Sequence, residues 1–321
     1  MISLQDIRDA RETIRNFVKR TSLVHSRFLS EMCGGEVYLK LENLQIMKSF
    51  KIRGAFNRIL HLSDDEMRRG VVTASTGSHA LAVAFGANKM SIPVRIIVPK
   101  NTPKVKINNI KKYDVELIIF GDIPDESEQK ARTMERGEEL TYISPYNDEL
   151  VIAGQGTIGL EILEDLPSVD TVIVPVGGGG LISGISIAMK SIKPGVEILG
   201  VQSEASPVMY ESLRAGKIVH TEMKKSIADG LFGGIEKGSP TFEIVQRYVD
   251  DLMLVKEDTL RKAVYLLWKE KKWIIEASGA ASLALMMEKK DLFTAKTIVA
   301  VISGGNIDRD LFRDILASEA N

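Results

Sequence analysis

The chain has one cysteine, Cys33, so no internal disulfide can form and a disulfide-stapled scaffold is excluded. Its four histidines, His25, His61, His79 and His220, show no ligand-like spacing, which argues against a zinc site. No apolar run reaches the about 18 residues of a membrane-spanning helix, so no membrane partner is expected. Neither sign of charge prevails: 42 Lys and Arg against 43 Asp and Glu leave a formal net charge of -1. Without a strong field of one sign, nucleic acid and anionic membranes are poor partners. The opening residues MISLQDIRDA lack a signal-peptide pattern, so the expected location is a reducing cytoplasm. No Gly-x-Ser-x-Gly nucleophile elbow occurs.

What is present is an ordinary globular composition, 44% hydrophobic and 26% charged, over 321 residues, long enough for two domains. Short apolar, β-branched runs recur at Val71–Ala74, Val94–Val98, Val115–Phe120, Thr171–Val176, Ile198–Val201 and Thr297–Ile302. Such runs predict strands buried on both faces. Helical patterns lie between them at Pro103–Tyr113, Glu126–Leu140, Leu181–Ser191 and Thr259–Lys271. The alternation predicts an α/β fold with open, mostly parallel sheets flanked by helices, and ligands beyond the carboxyl ends of the strands. Charged residues 63–70 and the turn-rich segment 144–148 bracket an inserted smaller lobe.

Four segments could carry chemistry. Lys51 lies between Phe50 and Ile52 at a predicted helix start, an apolar bracket that favours a neutral amine, although a surface lysine would read the same way. Gly177, Gly178, Gly179 and Gly180 follow a strand and precede a helix. That arrangement makes a concave row of backbone N–H groups suited to an anion, or simply a flexible turn. The row lacks the third small residue of a dinucleotide fingerprint, because Ile182 stands there. Ser75, Thr76, Gly77, Ser78 and His79 form a strand-to-helix turn able to bind a carboxylate or merely to cap the helix, with His79 packed rather than transferring protons. Ser303, in Ser303-Gly304-Gly305-Asn306, could bond a ring nitrogen or belong to a turn.

In this order, these segments resemble the fold-type II pyridoxal-phosphate (PLP) enzymes, in their threonine/serine dehydratase and serine racemase branch. The resemblance also runs through Lys40–Gln45, Ser49–Ala55, Ala153–Thr157, Ile227–Gly230 and Glu276–Ala280. It implies a tryptophan synthase β-like fold, with a large PLP-binding domain of residues 1–69 and 147–321 and a small domain of residues 70–146. It implies that Lys51 carries the cofactor, that Phe50 packs by its ring, and that Gly177 to Gly180 with Leu181 hold its phosphate. Ser303 then faces the pyridine nitrogen, and Ser75 to His79 cover the substrate carboxylate. The implied activity is ammonia-lyase action on L-threonine or L-serine, by a homodimer or higher homo-oligomer.

Departures from the family pattern bear on substrate and side activity. Ser78 replaces the Asn usual before the His, which shortens a cofactor contact, and Met47-Lys48 replaces the usual Thr-Gly. Thr76 puts a hydroxyl where dehydratases often have Ala and racemases have Ser, on the face opposite the lysine; it is a second catalytic candidate for reprotonating Cα. Glu128 aligns with the racemase arginine, and Gln202 and Val208 with two of its metal-site carboxylates, so no metal site is expected. Residues Ser226–Ile235 also resemble dehydratase-like enzymes of ectoine breakdown, which keeps a hydroxyaspartate-type ammonia-lyase open beside a serine racemase. A homologue that binds amino acids without catalysis is the remaining alternative. With the sequence ending at Asn321, no appended regulatory domain is expected.

Overall fold

β-Branched runs set the framework of the computed structural model, which describes residues 2–319. Its strands are β1 (Leu23–His25), β2 (Glu36–Leu41), β3 (Val71–Ala74), β4 (Val94–Val98), β5 (Glu116–Ile119), β6 (Thr141–Tyr142), β7 (Thr171–Pro175), β8 (Glu197–Ser203), β9 (Asp251–Val255) and β10 (Thr297–Ile302). They form two sheets, in the orders β1-β2-β10-β7-β8-β9 and β5-β4-β3-β6. All ladders are parallel except β1 on β2. This is the expected α/β fold of two mostly parallel sheets.

The six runs expected as strands are all strands, with ends moved by a residue or two, but β5 is not buried on both faces: it is the edge of its sheet, and Ile119 is exposed. The strands missing from the expectation are β1, β2, β6 and β9. β1 and β6 are only three and two residues long, and charged residues interrupt β2, whereas the Leu252–Val255 run of β9 is apolar and went unread. β2 carries Lys40, which is fully buried only because Glu161 reaches its amine at 2.6 Å. β9 opens on Asp251 at the sheet edge.

In the larger sheet, Val299 of β10 lies opposite Tyr38 of β2 and Val172 of β7. The three strands run parallel, so their carboxyl ends meet at one edge. The Lys51 loop, the Ser303 turn and the glycine row therefore stand side by side, across roughly 10 Å for two interstrand spacings. The smaller sheet draws its strands from residues 71–142, but part of its core comes from outside them. Ile52, Phe56 and Ile59 of the Lys51–Leu60 helix pack with Val71, Val83 and Ile96. The helix that begins with Lys51 thus packs against the cores of both sheets, which ties Lys51 to the position of both.

Candidate active site

Lys51 is the first residue of its helix. The loop before it is fixed to the end of β10: the Phe50 amide donates to the Ser303 carbonyl at 3.1 Å, and the Gly305 amide donates to Lys48 at 2.8 Å. Lys48 takes a left-handed φ of 54°, a strained conformation where the usual glycine would be free. Two residues beyond Lys51, Arg53 is fully buried and bonds Glu42 and Glu161. The Lys51 amine donates to the Pro145 carbonyl at 2.8 Å and lies 5.1 Å from the Phe50 ring centre. Burial pushes its pKa down to about 8, against an opposing pull from Glu276. At pH 7 about one pH unit, instead of about 3.5, then separates it from the neutral amine.

The glycine row leaves β7 and starts the Gly180–Ile192 helix, with Gly179 at a φ of +91° that side chains avoid. A Cβ on Gly178 would lie 2.4 Å from Tyr146 Cγ, and one on Gly180 2.9 Å from Tyr146 Cα. A Cβ on Gly177 would lie 3.1 Å from the Gly230 carbonyl oxygen. Close packing therefore demands glycine here, and the N–H groups at the start of a 13-residue helix, unpaired within the helix, favour an anion. Leu181 is buried beneath the row.

Ser75, Thr76 and Gly77 turn from β3 into the Ser78–Lys89 helix. Space around a Cβ on Gly77 is open, as a ligand-facing turn requires. The Ser75 hydroxyl accepts from the Gly77 amide at 3.2 Å. Ser78 accepts from the Asn306 side-chain amide at 3.0 Å, so Asn306 braces this turn from the β10 side. His79 turns away from the opening: its Nε2 meets the Ile143 carbonyl at 2.9 Å. Burial and the nearby Lys51 charge push its pKa down to about 3, so it stays neutral and packs. Ser303 is buried at the end of β10, with a long 3.5 Å bond to the Ser278 carbonyl.

Two neighbours escaped the sequence reading. Tyr146 packs its ring on the glycine row, and its hydroxyl accepts from the Glu236 amide at 2.9 Å. Glu276 faces Lys51; burial pushes its pKa up to about 7, with Asp229 pushing the same way and the Asn306 amide at 3.2 Å opposing. A carboxylate inside the otherwise apolar and small stretch 273–280 was the available signal for it. Gln202 instead accepts from the Tyr210 amide at 2.8 Å, and Val208 is buried. Among the described residues, no group of three or more His, Cys, Asp or Glu side chains could hold a metal ion. Surface cavities of about 410 and 310 Å³ lie away from this cluster.

Residues 14–304 match the family model described as pyridoxal-phosphate dependent enzyme. The chain belongs to that family. An L-threonine ammonia-lyase from Thermotoga maritima is 46% identical over 317 residues, covering 98% of this chain and 78% of the relative. The catabolic L-threonine dehydratase of Escherichia coli is 42% identical, covering 96% and 94%. The solved serine racemase of maize superposes with a TM-score of 0.92 at 34% identity, covering 99% and 98%.

A pyridoxal-phosphate enzyme needs a neutral lysine for the aldehyde and a dry cradle of N–H groups for the phosphate. The site fits both demands. The Lys51 amine has a lowered pKa and no carboxylate within salt-bridge distance among the described residues, and the glycine row is too crowded for any side chain. Gly177 to Gly180 would hold the phosphate, Lys51 the aldehyde carbon, and Ser303 the ring nitrogen.

Proposed function

We propose that this PLP enzyme is an ammonia-lyase for L-threonine and L-serine, converting a β-hydroxy amino acid to a 2-oxo acid and ammonia. The observation that carries the reading is the Lys51 amine, its pKa lowered to about 8, which donates to the Pro145 carbonyl next to Tyr146, the ring that packs on the glycine row. The similarity to threonine ammonia-lyases over nearly the full length supports the same choice.

When bound, the cofactor withdraws electrons from the substrate Cα. The chain's own residues do the rest. Backbone N–H groups at Ser75 to Ser78 orient the substrate carboxylate, which fixes the Cα–H bond toward Lys51. The neutral Lys51 amine takes the Cα proton. Loss of the β-hydroxyl as water follows; the dehydrated product then takes up water and releases ammonia. Ser303, a neutral hydroxyl, does not keep a proton on the ring nitrogen, which disfavours long-lived negative charge and so favours elimination over transamination. His79 contributes packing rather than a proton, since it stays neutral across the working range. Residues 70–146 act as the small lobe and residues 1–69 with 147–321 as the large lobe, in a cytoplasmic homodimer or higher homo-oligomer.

A racemase reading has one observation in its favour. The Thr76 hydroxyl sits in the turn with no hydrogen-bond partner among the described residues, free to deliver a proton to Cα. Incubation with L-threonine, L-serine and hydroxyaspartate, reading 2-oxo acid, ammonia and enantiomer together, decides among them. Accumulation of D-serine without 2-oxo acid would overturn the lyase reading. Borohydride treatment of the holoenzyme should leave the reduced cofactor on the Lys51 peptide, and an unmodified Lys51 would point to a chain that binds without catalysis.

A further inference from the structure

The segment 226–238 lies in the connection between the Val208–Ala215 and Pro240–Tyr248 helices and passes along the glycine row. The Gly230 carbonyl oxygen and Leu231 Cα come within 3.1 and 3.2 Å of a Cβ placed on Gly177, so the segment forms one wall of the row. Beyond a single short turn at Asp229–Leu231 it has no regular structure, and Gly233 and Gly238 take φ of +133° and +79°. On the side of the larger sheet it is held by the Ile227 amide donating to Glu257 at 2.8 Å and by buried Ala228, Leu231 and Ile235, with no ladder along its length. What holds it from the opposite side are two cations on helices of the region 70–146. Lys106, on the Lys104–Ile110 helix, reaches Asp229 at 2.6 Å. Arg132, on the Pro124–Gly137 helix, grips both oxygens of Glu236 at 3.1 and 2.9 Å. The Arg132 guanidinium also stacks 4.2 Å from the Tyr142 ring centre, so it is fixed before it meets its partner. Glu236 in turn takes a bond from Asn147, and its amide donates to the Tyr146 hydroxyl. Tyr146 is the ring lying on Gly178.

Both anions therefore sit on the strap and both cations on the other lobe. The strap touches the glycine row at two places, directly at Gly230 and through Tyr146. We infer that Lys106 and Arg132 are positioning residues that clamp the 226–238 strap onto the glycine row, so that approach of the two lobes tightens the grip on the cofactor phosphate. The inference rests on the glycine row being the phosphate cradle. It adds that phosphate affinity is set in part from across the cleft, by residues that never touch the cofactor.

The strap carries its own reporter. Lys237 is exposed on it, and Lys224 and Lys225 are exposed just before it. Holoenzyme of Lys106→Met, Arg132→Met and the double variant is compared with unmodified holoenzyme, alongside Asp229→Asn and Glu236→Gln, which break the same pairs from the strap side without changing side-chain shape. Two quantities are read: PLP release after dilution, followed by cofactor fluorescence, and the rate of tryptic cleavage at these three lysines. Each single variant should speed both about threefold to tenfold, and the double variant more than either, as for partly buried pairs sharing one element. Lys106→Arg and Arg132→Lys should restore most of the loss. Circular dichroism that matches the unmodified protein removes misfolding as the cause; should Arg132→Met misfold, Glu236→Gln carries the test.

PLP release within twofold of unmodified enzyme in both strap-side variants would overturn the inference, as would faster release with unchanged cleavage. The cradle reading itself is judged separately by Gly178→Ala. If that variant holds PLP normally, the phosphate site is wrong; if it loses PLP while the clamp variants do not, only the clamp is wrong.

Discussion

Lys51 and Glu276 face each other with opposed shifts, one pushed down and one pushed up, and their pairing sets the pH behaviour of the site. Capture of PLP by apo-enzyme needs the neutral amine, so its rate should climb as pH rises through about 8 and level off above. Glu276→Gln removes a charge that favours the ammonium, so stopped-flow absorbance should find the rise moved to lower pH. An unmoved profile would show that the two groups do not interact. Lys51→Ala should lower turnover by at least about a hundredfold, the lower bound for losing a positioned acid–base group, measured by 2-oxo acid formation. His79 gives a stability prediction whose sign follows from its depressed pKa of about 3. Between about pH 6.5 and 3 the unfolded chain binds a proton that the folded chain refuses, so stability falls as pH falls. Urea unfolding should report a loss of about 2 kcal/mol from this residue between pH 7 and pH 5, absent in His79→Gln.

At the scale of elements, the turn after β7 is built by exclusion. Tyr146 fills the space where a Gly178 side chain would go, so Gly178→Ala must push the ring aside or tilt the row. Overpacking of this kind costs about 1 to 3 kcal/mol, and PLP affinity measured by fluorescence titration should drop about tenfold to a hundredfold. This turn was legible in the sequence because four consecutive glycines between a strand and a helix are a local signal. The Ser75–Ser78 turn was legible because hydroxyl residues around a glycine follow a strand and open a helix, again a local signal. Tyr146 was not, because it reaches the row from a connection 31 residues earlier in the chain than Gly177, and nothing in Ser-Pro-Tyr-Asn announces the contact.

For the whole molecule, a buried charge network stands under the reactive helix. Arg53 bonds Glu42 and Glu161, and Lys40 bonds Glu161, with both cations fully buried. It joins β2, the Lys51–Leu60 helix and the Glu149–Asp165 helix, so it sets how the lysine-bearing helix sits on the larger sheet. Arg53→Met leaves two carboxylates buried with one cation between them, and chemical denaturation should show a loss of about 3 kcal/mol or more. A change under about 1 kcal/mol would mean that water reaches the network. In the sequence, Lys40, Glu42 and Arg53 belong to a polar stretch before and within a helix, and nothing there marks them as buried; Glu161, 108 residues beyond Arg53, is the partner that offsets the cost of burying the two cations.

The one-dimensional pattern determined six of the strands, though not which of them is the exposed edge β5, and with them the glycine row, the hydroxyl turn and the bracketed lysine, because each is written within a few neighbouring residues. Only the tertiary structure decided the sheet order that inserts β10 between β2 and β7, and with it the meeting of the Lys51 loop, Ser303 and the glycine row. It also decided which charges face which: Glu276 against Lys51, Glu161 against Arg53 and Lys40, Arg132 against Glu236. Electrostatic and packing partners are chosen by distance in space, and these pairs are separated by a hundred residues or more of chain, where no local period reaches.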